Sequence, residues 1–272
     1  MTDAALVEVL RRDRIVVIAA VVIIAALAWA YIVWLSRSMD AIPMSDMPLD
    51  MPGMGAMAAP AFKSWLPIDF IFVFAMWTAM MIGMMTPSAS PMILIYARVA
   101  RQAAQQGRPF AAVGWFTAGY LLAWAGFSMV ATVGQWALTR AALLTPMMQS
   151  TSAIFGGAVL IAAGIYQWTP LKDICLKHCQ APLIFIQRHG GFRPDNAGSL
   201  GLGFRHGLYC VGCCWALMAL LFVGGVMNVL WIAVLTILVL AEKIAPVGRV
   251  LSRSVGVALT VTGAWLITAQ FQ

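Results

Sequence analysis

Residues 15–35 read "IVVIAAVVIIAALAWAYIVWL": twenty-one consecutive residues without a charge. A hydrocarbon core of about 30 Å needs roughly 20 apolar residues in a helix, so this run is long enough to cross one. Six more apolar stretches follow: one from near Ile68 through "FIFVFAMWTAMMIGMM", then Phe110 to Leu138, Thr151 to Trp168, Gly207 to Gly224, Val226 to Leu240 and Val255 to Thr268. The fifth and sixth are joined only by "VGGVMN", where the glycine pair and Asn228 predict a tight hairpin. The expected fold is therefore all-α, a polytopic helical membrane protein of about seven transmembrane helices. The 272-residue chain is 62% hydrophobic and 10% charged, against roughly 25% charged in soluble domains. The bilayer is its first partner.

Positive charge orients the spans, because Lys and Arg loops remain cytoplasmic. With the N-terminus inside, fourteen of the seventeen basic residues fall on inner segments, and Arg37, Lys63 and Arg140 alone lie outside. The net charge of +7 is thus a topology signal and requires no nucleic acid. The first apolar run exceeds a signal-peptide core, and "AWA" at 28–30 lies inside it, so it reads as a retained anchor. The expected organisation is a cytoplasmic segment over 1–14, an anchor over 15–35, an outer loop over 36–67, and a six-helix membrane domain over 68–272 that carries a cytoplasmic Cys/His loop at 169–206. The expected location is a bacterial inner membrane, with the outer loop facing the periplasm.

Sulfur is sorted along this topology. The outer loop, "MDAIPMSDMPLDMPGMGAM" at 39–57, carries Met44, Met47, Met51, Met54 and Met57 among prolines, glycines and aspartates, with no Cys or His. All five cysteines and all three histidines lie between Cys175 and Cys214. Thiols outside tend to oxidise, whereas thioethers keep their ligand character there, and cytosolic thiols are kept reduced. Thioether sulfur is a soft donor that suits Cu(I). A flexible Met-rich linker is the bland alternative.

The second span continues the pattern. At 100° per residue, Met76, Met80 and Met84 share an arc of about 80°, with Met81 and Met85 forming an adjacent row. "TPSASP" at 86–91 then removes backbone donors at Pro87 and Pro91, which predicts free carbonyls beside Thr86, Ser88 and Ser90. Methionine packing at an ordinary proline kink explains the same letters.

Two thiol groups complete the set. In "DICLKHC", Cys175, His178 and Cys179 share one helical face, and in "YCVGCCW", Cys210, Cys213 and Cys214 stand at i, i+3 and i+4. Together they suit Cu(I), Zn²⁺ or an iron–sulfur cluster, or they are inert buried cysteines. His189 and His206, beside arginines, read as interfacial residues.

The stretches "MWTAMMIGMMTPSASP", "YQWTPLKDICLKHCQAP", "GLYCVGCCWALMALLFVGGVMN" and "AEK" resemble, in order and spacing from about Asp69 to Leu266, a bacterial family of predicted metal-binding integral membrane proteins. The resemblance implies metal binding and a multi-span fold, with Met80, Met81, Met84, Met85, Pro87, Cys175, Cys179, Cys210, Cys213, Cys214 and Glu242 at the family's motif positions. His178 and the outer methionines rest on their chemistry alone.

No nucleotide-binding phosphate loop, aspartyl-phosphate motif or paired catalytic carboxylates occur, so the chain is expected not to be an enzyme. Asp69 and Glu242 fall at span ends, leaving no intramembrane proton relay in view. The leading expectation is Cu(I) capture on the outer methionines and transfer or downhill transport to the inner thiols, with a metal-donor or metal-acceptor protein as partner. A membrane-embedded metallochaperone or assembly factor is the alternative. A thiol–disulfide oxidoreductase using "CVGC" at Cys210–Cys213 is a third.

Overall fold

Ile15, Val16, Val22, Ile23, Leu27 and Trp34 are exposed on the first helix, which inverts the inside-out rule of water-soluble proteins and matches a lipid-facing surface. In the computed structural model, residues 3–40, 65–107, 113–145, 148–192 and 194–271 are described, with side chains omitted at 3–14, 39–40 and 104. The expected ligands Met44, Met47, Met51, Met54 and Met57 lie outside the described residues. The elements are α1 (Asp3–Asp40), α2 (Pro67–Gln105), α3 (Val113–Arg140), α4 (Ala153–Tyr166), α5 (Pro170–Gln180), α6 (Pro182–Arg188), α7 (Asn196–Ala219), α8 (Leu221–Gly224), α9 (Val229–Ile244) and α10 (Gly248–Thr268). No strand occurs among the described residues beyond an isolated Leu144–Ser150 bridge.

Among the described residues five helices are long and apolar enough to cross a membrane, and α4 with α5, bent by 65°, makes a sixth if the pair is one span. The helix α9 has 16 residues, roughly 24 Å at 1.5 Å per residue, which is short of a full crossing. The bend has a local cause. Thr169 accepts a hydrogen bond from Lys172 N, and Pro170 opens α5 at the position where a missing N–H costs nothing. Between α7 and α9 the chain turns through Gly225, whose φ of 97° favours glycine, and Asn228 then caps α9 at Trp231 N.

The segment 169–206 is helical for most of its length, in α5, α6 and the start of α7. One sequence expectation, the break at the prolines, is corrected. The helix α2 runs unbroken through Pro87 and Pro91: Ser90 Oγ donates to Pro87 O at 2.8 Å and Ser88 Oγ to Met85 O at 2.8 Å, so hydroxyls replace the lost backbone donor at Pro87 O and brace the turn before it.

Small residues let the helices close. A Cβ added at Gly119 of α3 would overlap Leu200 backbone, and one at Gly203 of α7 would overlap Phe116 backbone. Likewise Gly157 and Gly164 of α4 face Gly263 and Gly256 of α10, respectively. Lipid offers no hydrophobic drive between helices, so such close packing holds them together. Gly203→Ala is expected to cost about 1–3 kcal/mol, the usual penalty of overpacking, read as a lower melting temperature in detergent, whereas Gly201→Ala, with open space around it, should leave melting unchanged.

Candidate metal centre

The stripe methionines Met76, Met80, Met81, Met84 and Met85 are all buried, in one core with Trp77, Tyr120 and Trp124. Met85, at the inner end of that stripe, meets α7: Cys214 Sγ lies 4.0 Å from Met85 Sδ. The α7 thiols share one backbone acceptor, with Cys213 Sγ donating to Cys210 O at 3.1 Å and Cys214 Sγ at 2.9 Å. From α5, Cys179 Sγ comes within 3.9 Å of Cys213 Sγ. Cys175 lies against the α7 backbone, since a Cβ at Gly212 would come 2.7 Å from its sulfur. The bend after α4 thus folds α5 back so that the two cysteine groups meet.

Two polar side chains that the sequence reading passed over, Lys243 and Tyr120, complete the site. Lys243 of α9 is buried and donates from Nζ to Cys210 Sγ at 2.9 Å and to Ser88 Oγ at 3.0 Å. The hydroxyl of Tyr120 donates to Met85 O at 3.0 Å and lies 3.2 Å from Cys210 Sγ. An ammonium against a sulfur is a counter-charge for a thiolate, the form of cysteine that binds metal. In sequence Lys243 passes for a loop charge, yet Leu235 and Val239 are buried on the same helix. Lys243 continues their i, i+4 row.

Charge is also buried behind the thiols. Lys172 and Glu242 form an ion pair of 2.8 Å at 1% and 2% side-chain exposure. Gln167 accepts from Lys172 and from Ser252 Oγ, and Gln180 Nε2 donates to Glu242 O at 2.8 Å. Glu242 and Lys243, neighbours in sequence, face opposite ways: one ties α9 to α5, the other reaches the thiols.

His178 has no hydrogen bond to a cysteine among the described residues. Its ring stacks on Tyr209 at 4.3 Å, and Nδ1 bonds Ile174 O at 2.8 Å. His206 is a correction: it is a core residue, buried against Phe116, Tyr120 and Phe185, and its Nδ1 has no partner among the described residues.

Chemically the donor set is soft: four thiols and one thioether, with Glu242 turned away toward Lys172. Among the described residues no three His, Cys, Asp or Glu side chains surround a common point, because Cys213 and Cys214 turn to Cys210 O. A linear, two-coordinate ion asks for only two ligands. Such an arrangement inside long apolar helices defines a membrane-type protein for soft metal. The chain belongs to the PpoB2 family of copper chaperones, whose profile matches residues 74–266, from just before the methionine stripe to α10. Copper is therefore the metal to reason with. No curated protein and no solved structure matches the chain.

Proposed function

We propose that the protein is a multi-span carrier of the bacterial inner membrane, N-terminus cytoplasmic, that holds Cu(I) on its inner sulfur cluster and hands it to a partner without catalysing a reaction. One observation carries this reading: the Cys179 thiol of α5 comes within 3.9 Å of Cys213 on α7, the neighbouring Cys214 meets the Met85 thioether at 4.0 Å, and the Lys243 ammonium stands 2.9 Å from Cys210 Sγ. Two thiolates and one Cu(I) carry a net charge of −1, and the ammonium brings it to zero. A buried charge survives only when compensated, so this set favours a monovalent soft ion. Zn²⁺ prefers four ligands around a tetrahedron, which the back-bonded thiols do not present.

Anaerobic titration of the detergent-purified chain tests this. Tight Cu(I) binding is expected in the wild type and is lost when Cys175, Cys179, Cys210, Cys213 and Cys214 are all Ser, with Zn²⁺ bound far more weakly. A wild type that takes up no Cu(I) would overturn the proposal.

A second reading, downhill conduction, is favoured by the stripe itself, since Met76, Met80, Met81, Met84 and Met85 lie buried along α2 and Met85 reaches Cys214. In proteoliposomes that reading requires copper accumulation, lowered by Met80→Leu with Met84→Leu. A carrier that only holds and delivers accumulates none.

A further inference from the structure

Beside the buried cluster, α5, the end of α6 and α7 enclose an open cleft of about 440 Å³ lined by Cys175, His189, Arg205, Leu208 and Tyr209. Its floor reaches the cluster by a short path. The Cys175 sulfur rests against Gly212, the residue before Cys213, and Cys179 follows one helical turn later, roughly 6 Å along α5.

His189 lines this cleft. Its Nδ1 is 2.8 Å from Phe185 O; a carbonyl only accepts, so Nδ1 donates, and in the neutral ring Nε2 keeps the lone pair, with the Tyr209 hydroxyl 3.5 Å away. His178 is fixed in the same way by Ile174 O. A backbone carbonyl that orients the far nitrogen of an imidazole is the usual support of a ligating histidine. The two rings lie 6.0 Å apart around Tyr209. Arg205, exposed at the same cleft, offers a planar fork that recognises carboxylates.

Resting on the copper-holding role above, we propose that this cleft is an exchange port at which Cu(I) passes between Cys175 and a small acidic thiol, with Arg205 binding the thiol's carboxylate and His189 Nε2 steadying the ion in transit. The exchange is ligand substitution: the bond from copper to the carrier sulfur breaks, a bond to Cys175 Sγ forms, and the Cys175 thiol proton passes to the departing thiolate. Copper stays Cu(I) and no electrons move. A carboxylate-bearing thiol fits a cleft that combines a cation, a thiol and the flat faces of Tyr209 and His189. A bare ion would need none of the room.

Stopped-flow uptake by the full chain in detergent, without oxygen, tests the port with two donors: the Cu(I)–glutathione complex and Cu(I) in acetonitrile. Arg205→Gln is expected to slow uptake from glutathione about tenfold, as loss of a steering charge does, while leaving the acetonitrile rate and the final stoichiometry unchanged. Cys175→Ser should slow both. Raising salt should slow only the glutathione reaction of the wild type, a readout that needs no variant to fold. Equal effects on both donors, or none, would overturn the port while copper binding stands. A wild type that fills from neither donor would overturn the copper-holding role and the port with it.

Discussion

Cys210→Ser is expected to lower Cu(I) affinity by at least about a hundredfold, beyond the 10- to 100-fold typical of losing a group that only supports a ligand. Cys210 is the residue on which the site turns. Its sulfur takes the Lys243 ammonium and neighbours the Tyr120 hydroxyl, and its carbonyl holds the thiols of Cys213 and Cys214. A serine hydroxyl keeps the shape but is a hard oxygen donor that Cu(I) binds poorly. Competition against a coloured Cu(I) chelator under argon measures the change, with melting temperature as the control for folding. Affinity within threefold of wild type in a variant that melts normally would remove Cys210 from the site and leave Cys179 with Cys213, and Cys214 with Met85, as the sulfur pairs. Cys175→Ser, which alters the route inward, is expected to change equilibrium affinity far less.

The same sulfur also redirects the redox alternative. The "CVGC" spacing pairs Cys210 with Cys213, and the fold adds a second partner, setting Cys213 Sγ 3.9 Å from Cys179 Sγ. A disulfide between those two would join α5 to α7.

What the letters disclosed follows from periodicity. Apolar runs marked α1, α2, α3 and α7, and i, i+3, i+4 spacing placed Cys210, Cys213 and Cys214 on one helical face, because local geometry alone decides both. The meeting of Cys179 with Cys213 was not legible, since it depends on the 65° bend at Thr169 and Pro170 and on how α5 then packs. Lys172 and Lys243 were hidden for a related reason. A lysine near the end of an apolar run is ordinarily an interfacial charge, and only a partner from a distant helix, Glu242 for one and Cys210 for the other, makes its burial tolerable. His206 misled through its neighbour: Arg205 faces outward and belongs at an interface, but one residue of helix turns the imidazole by 100° into the core. The resemblance named Glu242 as a motif position, and the ion pair supplies its physical role.

Lys172→Met is expected to destabilise the protein by about 3–5 kcal/mol, the cost of stranding one member of a buried pair. Glu242 would keep a carboxylate in a setting with 2% exposure, and the contacts that remain, Gln180 to its backbone and a Gln167 freed from Lys172, do not replace an ammonium. The wild-type pair is itself imperfectly satisfied, because Glu242 Oε1 and Gln167 Nε2 lack partners among the described residues. Replacing both charges, Lys172→Met with Glu242→Leu, should therefore return stability to the wild-type value or above it, as apolar replacement of buried pairs often does. Thermal melting in detergent reads both variants. The copper affinity of the double variant then separates scaffold from site. Lys243 stays on α9 beside Cys210 in either case, so affinity should recover with the fold if Glu242 serves only to dock α9 on α5. A single variant that melts within about 1 kcal/mol of wild type would mean that water reaches Glu242 and that the pair does not tie these helices together.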